Sequence, residues 1–225
     1  HSLLSAHPNK EMTMRTLDVG GDKPLSYFPI SEENPFLGWR GIRLTLDHPE
    51  IFLIQVRAML RASIGLTNLQ ILLPMVSSIS EIDEANRLIK QAFYEVKEEA
   101  IKTNKVLSKP AIGVMLEVPA VIFQLEQIAK KVDFFSVGTN DLTQYLLAVD
   151  RNNSRVAQLY SSYHPSVLIA LNQIFQTSNL CNIPVTVCGE LAGEPSGALI
   201  LMAMGYRKLS MNAHSLRKIN WVIRN

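Results

Sequence analysis

The 225-residue sequence has few of the features that would place it among secreted or membrane proteins. Its two cysteines, Cys181 and Cys188, are too few for a disulfide framework and fit a reducing cytosol. No apolar run approaches the roughly 20 residues that span a bilayer. No signal-peptide pattern stands at its start. We therefore expect a cytoplasmic protein without a membrane segment.

Several common binding motifs are also missing. The sequence contains no GxGxxG, no GxxxxGK[ST], no CxxC and no HExxH, so any phosphate must be bound in another way and a zinc site is disfavoured. The 22 basic and 20 acidic residues give a net charge of +2, and the basic residues are scattered, which argues against a nucleic-acid partner. The 47% hydrophobic content suits one large core, and we expect a single domain over residues 1–225.

The sequence does contain an alternation of short apolar strands and amphipathic helices. We predict strands over 12–17, 38–44, 69–73, 111–116, 134–137, 184–187 and 208–211. This alternation indicates an α/β fold with a parallel sheet covered by helices. Seven strands behind a helix remnant predict a (β/α)8 TIM barrel truncated before its first strand. A doubly wound open sheet is the alternative, although its glycine-rich phosphate turn is absent.

Local signals predict where several helices begin. Asp47 and Glu50 have capping-box spacing with Pro49 between them, and Ser78 and Glu81 repeat that spacing. Prolines at 119, 165 and 195 start further helices, and residues 24–37, with three prolines, form a long loop.

Polar side chains follow the predicted strands at the edge where parallel α/β folds bind ligands. The carboxylates of Glu117 and Asp141 follow successive strands, and such oxygen ligands suit magnesium. Three arginines could supply paired donors to an anion with several oxygens, namely Arg15, Arg40 and Arg151. Asn140 and the thiol of Cys188 lie at the same predicted edge.

Each of these residues also has a purely structural interpretation. Thr139, Asn140 or Asp141 could cap the following helix, and Glu117 could favour a helix N-terminus electrostatically. Arg40 could pair with Asp47 or Glu33 on the surface. Cys188 could be a small buried hydrophobe.

Five stretches together resemble one known family. They are RTLDVGGDK (15–23), ENPFLGWR (33–40), VGTNDLTQY (137–145), AVDR (148–151) and CGELAG (188–193). They are similar to the C-terminal domain of enzyme I, the phosphoenolpyruvate-protein phosphotransferase. The sequences of residues 23–30 and 220–225 are most similar to the nitrogen-related paralogue of this enzyme. Pyruvate phosphate dikinase and phosphoenolpyruvate synthase share several motifs but match less closely.

The resemblance implies a barrel that binds phosphoenolpyruvate and Mg²⁺ and pairs as a homodimer. It implies that Glu117 and Asp141 hold the metal, and that Arg15 and Arg151 hold the phosphate with Arg40 nearby. Asn140 would then fix phosphoenolpyruvate. The resemblance implies that Cys188 protonates the enolate to give pyruvate.

Two family features are absent from the sequence. A phosphate-binding Arg-Thr-Glu motif is missing, and so is the Thr-Ser-His motif of the separate N-terminal domain that accepts the phosphoryl group and passes it to a phosphocarrier protein. We therefore expect that this chain alone does not complete transfer to a carrier. The alternatives are a dikinase- or synthase-type barrel, a non-catalytic phosphoenolpyruvate-sensing dimerisation module, and a magnesium-dependent enolate enzyme of the aldolase or lyase type.

Overall fold

A computed structural model of the chain describes residues 1–21 and 29–224. Parts of the predicted 24–37 loop, and of the 23–30 and 220–225 stretches compared with the nitrogen-related paralogue, lie outside these residues. The chain divides into two compact units, His1–Val114 and Met115–Asn225. Within the described ranges, no helix combines the length and apolar character that crossing a membrane requires.

The first unit is built from three parallel strands and four helices of the described part. Its elements are α1 Ser2–Ala6, β1 Met12–Arg15, a 3-10 helix Pro35–Leu37, α2 Ile42–Asp47, α3 Pro49–Ala62, β2 Leu69–Leu73, α4 Ile79–Lys102 and β3 Ala111–Leu116, the last ending beyond the unit boundary. Strand β1 pairs with β2 and β2 with β3, so that Met14 lies opposite Ile71 and Ile71 opposite Ile112. Strands β2 and β3 have the bounds that their continuous apolar runs predict.

Helix α4 begins at the predicted capping box. The Ser78 side chain accepts a hydrogen bond from the Glu81 backbone N–H at 3.4 Å, and the Glu81 carboxylate accepts one from the Ser78 N–H at 2.8 Å. These two bonds satisfy backbone donors that a helix start otherwise leaves open. The start of α4 is therefore confirmed.

The predicted strand over 38–44 is wrong, because helix α2 begins at Ile42. Gly41 adopts φ +58°, which turns the chain immediately before the helix. Ile42 and Leu44 are both buried within α2. A short apolar run cannot distinguish a strand from a buried helix by periodicity, and the packing of α2 on α3 and α4 decided the outcome.

The predicted capping box at Asp47 and Glu50 is also wrong. Asp47 is the last residue of α2, and its carboxylate accepts a hydrogen bond from Trp39 Nε1 at 2.7 Å. His48 occupies the cap position of α3 without a side-chain cap bond. The turn between the two helices thus removes Asp47 from the position that its spacing suggested.

The second unit alternates strands and helices in the same way. Its elements are a 3-10 helix Pro119–Gln124, α5 Leu125–Ala129, β4 Phe134–Gly138, α6 Thr139–Leu147, a 3-10 helix Ala157–Leu159, α7 Pro165–Leu180, β5 Val185–Cys188, α8 Glu190–Gly193, α9 Pro195–Met204 and α10 Ala213–Arg224. Strands β4 and β5 are parallel, with Gly138 opposite Cys188. Helix α9 has its predicted bounds, from Pro195 to the residue before Gly205.

The predicted strand over 208–211 forms only one parallel bridge in the described residues, between Val187 and Leu209. Two backbone hydrogen bonds make that bridge, from the Val187 N–H to the Lys208 carbonyl and from the Ser210 N–H to the Val187 carbonyl. Pairing of this length is too short to count as a strand. It nevertheless places residues 210–212 beside the end of β5.

Candidate active site at the strand ends

In the first unit, Asp18 contacts two of the three arginines predicted to surround the phosphate, Arg15 and Arg40. The Arg40 Nη2 atom donates to both Asp18 carboxylate oxygens at 3.1 and 3.2 Å, and the Arg15 Nη2 atom lies 3.5 Å from Asp18 Oδ2. The Arg40 side chain is fully buried, so its charge requires a buried partner. Arg40 therefore pairs with Asp18, and the suggested surface pairs with Asp47 or Glu33 are not what the structure shows.

In the second unit, Glu117 and Asp141 are both buried near the carboxyl ends of β3 and β4. Gly138, the last residue of β4, makes room for the first of them. A Cβ atom at position 138 would lie 2.8 Å from Glu117 Oε2 and 3.0 Å from Glu117 Cβ. The missing side chain at Gly138 therefore lets the Glu117 carboxylate lie against the end of the strand.

This donor set fits a magnesium ion better than a zinc ion. Among residues 1–21 and 29–224, no group of three or more His, Cys, Asp and Glu side chains is arranged to hold a metal. Structural zinc sites use four such ligands and catalytic ones three. Magnesium is bound through one or two carboxylates and takes its remaining oxygens from water and substrate. Glu117 and Asp141 are the residues that could hold it.

The first turn of α6 does not use its polar side chains as caps. Gly138 occupies the cap position, and Thr139, Asn140 and Asp141 are the first three helical residues. The Thr139 hydroxyl donates to the Cys188 carbonyl at 2.9 Å, and Asn140 Oδ1 accepts from the Glu190 N–H at 3.0 Å. The capping interpretation of these residues is therefore wrong, because α6 has no side-chain cap bond: Thr139 and Asn140 bind the end of β5 and the start of α8, and Asp141 contacts Arg151.

The bond from Glu190 fixes the orientation of the Asn140 amide. A backbone N–H can only donate, so the atom that accepts from it must be the amide oxygen. The Asn140 Nδ2 group is then directed elsewhere as a donor. An amide held in this way can present N–H groups to an anionic ligand.

Arg151 lies next to Asp141 and retains an unused donor. Its Nη2 atom is 3.6 Å from Asp141 Oδ1, and its backbone N–H donates to Gln144 Oε1 at 3.1 Å. The Arg151 Nη1 atom is buried and has no hydrogen-bond partner within the described residues. A buried guanidinium nitrogen without a partner is costly, and a bound anion would satisfy it.

Cys188 lies in an open cleft of about 470 Å³ in the second unit. The cleft is lined by Asn140, Cys188, Gly189, Glu190, Gly193, Glu194, Ser210, Met211, Asn212 and Ser215. The Cys188 thiol is half-buried, donates to the Val137 carbonyl at 3.2 Å and lies 3.5 Å from the Ser136 hydroxyl. Cys188 is therefore a hydrogen-bonded thiol beside a polar cleft, and not the small buried hydrophobic residue of the structural interpretation.

The structure thus brings the predicted residues together in smaller groups. Arg15 and Arg40 share Asp18 in the first unit, whereas Asp141 pairs with Arg151 and Asn140 lines the cleft of Cys188 in the second. Sequence reasoning assigned no role to Asp18, Ser136 and Gln144. A serine inside the apolar run Phe134–Gly138, and an acidic residue three positions after Arg15, were the available signals.

Comparison with solved structures confirms the fold. The chain is similar to a citrate lyase from Burkholderia xenovorans LB400, with a TM-score of 0.57, 18% identity, and coverage of 79% of this chain and 55% of that chain. It is also similar to an HpcH/HpaI aldolase/citrate lyase family protein from Burkholderia cenocepacia J2315, with a TM-score of 0.51, 17% identity, and coverage of 77% of this chain and 70% of that chain. At such identities the likeness concerns the fold alone, which is that of the TIM barrel.

Curated relatives are much more similar in sequence. A protein named phosphoenolpyruvate-dependent phosphotransferase system from Escherichia coli strain K12 is 57% identical over 222 residues, 99% of this chain and 29% of the relative. A phosphoenolpyruvate-protein phosphotransferase from Haemophilus influenzae is 45% identical over 224 residues, 99% of this chain and 38% of the relative. The chain thus spans less than two fifths of the length of these relatives.

The family assignment rests on the whole chain. Residues 1–225 match the family model described as the PEP-binding domain of PEP-utilising enzymes, where PEP is phosphoenolpyruvate. Together with relatives that are 57% and 45% identical over nearly all of the chain, this match identifies the protein as a member of the PEP-utilising enzyme family, within its PEP-binding domain.

Proposed function

We propose that the chain is the substrate domain of a phosphoenolpyruvate-protein phosphotransferase. In this role it binds phosphoenolpyruvate with Mg²⁺, positions the phosphoryl group for transfer to a histidine on another domain, and protonates the remaining enolate to pyruvate. The observation that carries the proposal is the cleft in which the Cys188 thiol and the oriented amide of Asn140 lie together. Family membership supplies the substrate class.

Substrate binding follows from donors that the protein already holds in place. Arg151 Nη1 is a buried donor without a partner in the described residues, and it fits a phosphate or carboxylate oxygen. Asn140 offers Nδ2 because its oxygen is bound to the Glu190 N–H. Both groups are fixed before substrate arrives, so little reorganisation is needed when the charge on the ligand develops.

Magnesium held by Glu117 and Asp141 would neutralise negative charge on the substrate. Phosphoryl transfer depends mainly on such charge neutralisation and on in-line positioning, and the arginines serve the same purpose. Arg15 and Arg40 stay predicted phosphate-binding residues. Both guanidinium groups contact the carboxylate of Asp18, which holds them next to each other.

In this proposal Cys188 protonates the methylene carbon of the enolate. Once the phosphoryl group has left, the S–H bond breaks, a C–H bond forms at the methylene carbon of the enolate, and the enolate oxygen becomes the carbonyl of pyruvate. A thiol has a pKa closer to neutrality than a hydroxyl, so it can act as a general acid at physiological pH. The alternative of a non-catalytic sensing module would not need this group.

Features of the whole protein are part of the proposal. The chain covers 29% of the Escherichia coli relative at 57% identity, whereas it covers 38% of the Haemophilus influenzae relative at 45% identity. This difference supports membership of the longer, nitrogen-related branch. We further infer a cytoplasmic homodimer that works with an N-terminal phosphohistidine domain and its phosphocarrier protein.

Calorimetric titration of phosphoenolpyruvate with and without Mg²⁺ tests the substrate and metal assignments. We expect magnesium-dependent binding that Asp141→Asn weakens by about tenfold or more, because this substitution removes a ligand charge and the partner of Arg151. The exposed Glu126 on α5 provides the matched control, and Glu126→Gln should bind as the unmodified protein does. Equal binding by the Asp141→Asn variant would refute the metal role.

A further inference from the structure

The hydroxyl of Ser136 is an unusual feature of strand β4. All five residues of Phe134–Gly138 are buried, and Ser136 is the one among them with a polar side chain, at 6% exposure. Its hydrogen bond within the described residues goes to Cys188 Sγ, 52 positions later in the chain. A buried hydroxyl must be satisfied, and here the thiol satisfies it.

The direction of this hydrogen bond follows from the second contact of the thiol. The Cys188 Sγ atom lies 3.2 Å from the Val137 carbonyl oxygen, which can only accept, so the single thiol hydrogen is donated there. The sulfur then has no hydrogen left for Ser136. The hydroxyl must therefore be the donor and the sulfur the acceptor, at 3.5 Å.

The two contacts have opposite effects on the thiol. Donation to the Val137 carbonyl favours the protonated form, because a thiolate has no hydrogen to give. Donation from Ser136 favours the thiolate, because a hydrogen bond is stronger when its acceptor is ionised. Ser136 is thus in direct contact with the sulfur and stabilises the thiolate that remains after the proton has been given away.

We propose that Ser136 is a positioning residue for proton transfer by Cys188, an inference that rests on the proposed function. It holds the sulfur at the wall of the cleft and stabilises the thiolate that forms when the S–H proton moves to the methylene carbon of the enolate. It touches neither substrate nor metal, and it acts only through the sulfur. The thiolate regains its proton from water in the open cleft, which closes the cycle without any further reactant.

Other charged groups near the thiol are kept constant in the test. Glu190 and Glu194 line the same cleft from α8 and the turn after it, and Asp141 and Arg151 lie on and after the packed helix α6. None of them is changed in the variants that follow. A difference in alkylation profile between the variants therefore reflects the hydroxyl group and not the nearby charged side chains.

The experiment compares Ser136→Ala with Ser136→Thr, which keeps a hydroxyl, in a Cys181→Ser background that leaves Cys188 as the one thiol of the sequence. The readout is the pH dependence of Cys188 alkylation by iodoacetamide in the ligand-free protein. We expect Ser136→Ala to react about tenfold more slowly below its midpoint and to titrate at higher pH, because a hydrogen bond to the thiolate is lost. Ser136→Thr should restore the original profile.

An unchanged profile in folded Ser136→Ala would overturn the inference, as would a shift that Ser136→Thr fails to reverse. Circular dichroism establishes folding, and Ser136→Gly removes the same hydroxyl if the alanine variant does not fold. Titration with phosphoenolpyruvate and Mg²⁺ is run in parallel. If the unmodified protein does not bind phosphoenolpyruvate, the proposed function is contradicted. If it binds phosphoenolpyruvate and the alkylation profile of Ser136→Ala is unshifted, only the role of Ser136 is contradicted.

Discussion

Gly138 makes room for the Glu117 carboxylate, although its backbone conformation does not require a glycine. Its φ is −86°, a value that any residue adopts, so a substitution there is opposed by space and not by conformation. The added Cβ atom would come within 2.8 Å of Glu117 Oε2. Either the carboxylate or the strand end has to move.

We therefore predict that Gly138→Ala weakens magnesium-dependent phosphoenolpyruvate binding by about 10- to 100-fold, the range seen when the neighbours of metal ligands are altered. The protein should remain folded, because alanine is compatible with this backbone. Calorimetry with and without Mg²⁺ gives the measurement, and Glu117→Gln should show a similar loss. Binding as tight as in the unmodified protein would mean that Glu117 does not hold the metal.

The Cys188 thiol allows proton transfer to be separated from binding. We predict that Cys188→Ala lowers exchange of solvent deuterium into the methyl group of pyruvate by about 100-fold or more, since it removes a general acid and base. Phosphoenolpyruvate affinity should change little, because the thiol carries no charge that the anion needs. Proton NMR follows the exchange, and Cys181→Ala serves as the control. Equal loss of affinity and exchange would refute the assigned role.

At the scale of elements, helices α3 and α4 are joined along their exposed sides by two ion pairs. Arg57 Nε lies 2.6 Å from Glu95 Oε2, and Arg61 Nη2 lies 2.7 Å from Glu99 Oε1. The hydrogen bond from Arg57 lowers the pKa of Glu95 below its ordinary 4.5, and the bond from Arg61 does the same for Glu99. Such exposed pairs contribute little individually and are screened by salt.

A carboxylate whose pKa is lower in the folded than in the unfolded state stabilises the folded protein at pH values above 4.5. This stabilisation is lost as the pH falls and the carboxylate becomes protonated in the folded state as well. We predict that Arg57→Gln/Arg61→Gln lowers the urea midpoint slightly at pH 7, and that this deficit narrows as the pH falls below 4.5. Lys97→Gln, an exposed charge change on α4, is the control. A deficit that stays constant through acid pH would show that the arginines act through packing instead.

At the scale of the whole molecule, the proposed reaction needs a phosphoryl acceptor from outside this chain. The Thr-Ser-His motif of the family's acceptor domain does not occur in the sequence. We predict that the protein, phosphoenolpyruvate, Mg²⁺ and a phosphocarrier protein yield no phosphorylated carrier. Adding a separate domain that bears the motif should start the transfer, because the acceptor is then present.

Radiolabelled phosphoenolpyruvate and gel autoradiography follow this transfer. The acceptor domain with its histidine replaced by alanine is the matched control and should give no signal. Labelled carrier in the absence of any acceptor domain would contradict the assignment of the phosphoryl acceptor to a separate domain. It would indicate that a residue of this chain accepts the phosphoryl group.

The sequence by itself determined the class of fold and most of the elements that carry it. Strands β2 and β3 and helix α9 have their predicted bounds, because continuous apolar runs, prolines and glycines are local signals that packing here reinforces. Local signals also placed Glu117, Asn140, Asp141 and Cys188 at strand ends. In a parallel sheet the carboxyl ends of the strands lie at one edge, so the order of residues along the chain already predicts which of them share that edge.

Only the tertiary structure decided how those residues are held. Arg40 reaches Asp18 across 22 positions, and the Asn140 amide is oriented by a backbone N–H 50 positions away. Periodicity reports on neighbours within a turn or two, so it contains no information about such distant partners. The same reason explains why residues 42–47 form a helix where an apolar run suggested a strand, since burial against α3 and α4 outweighed local propensity.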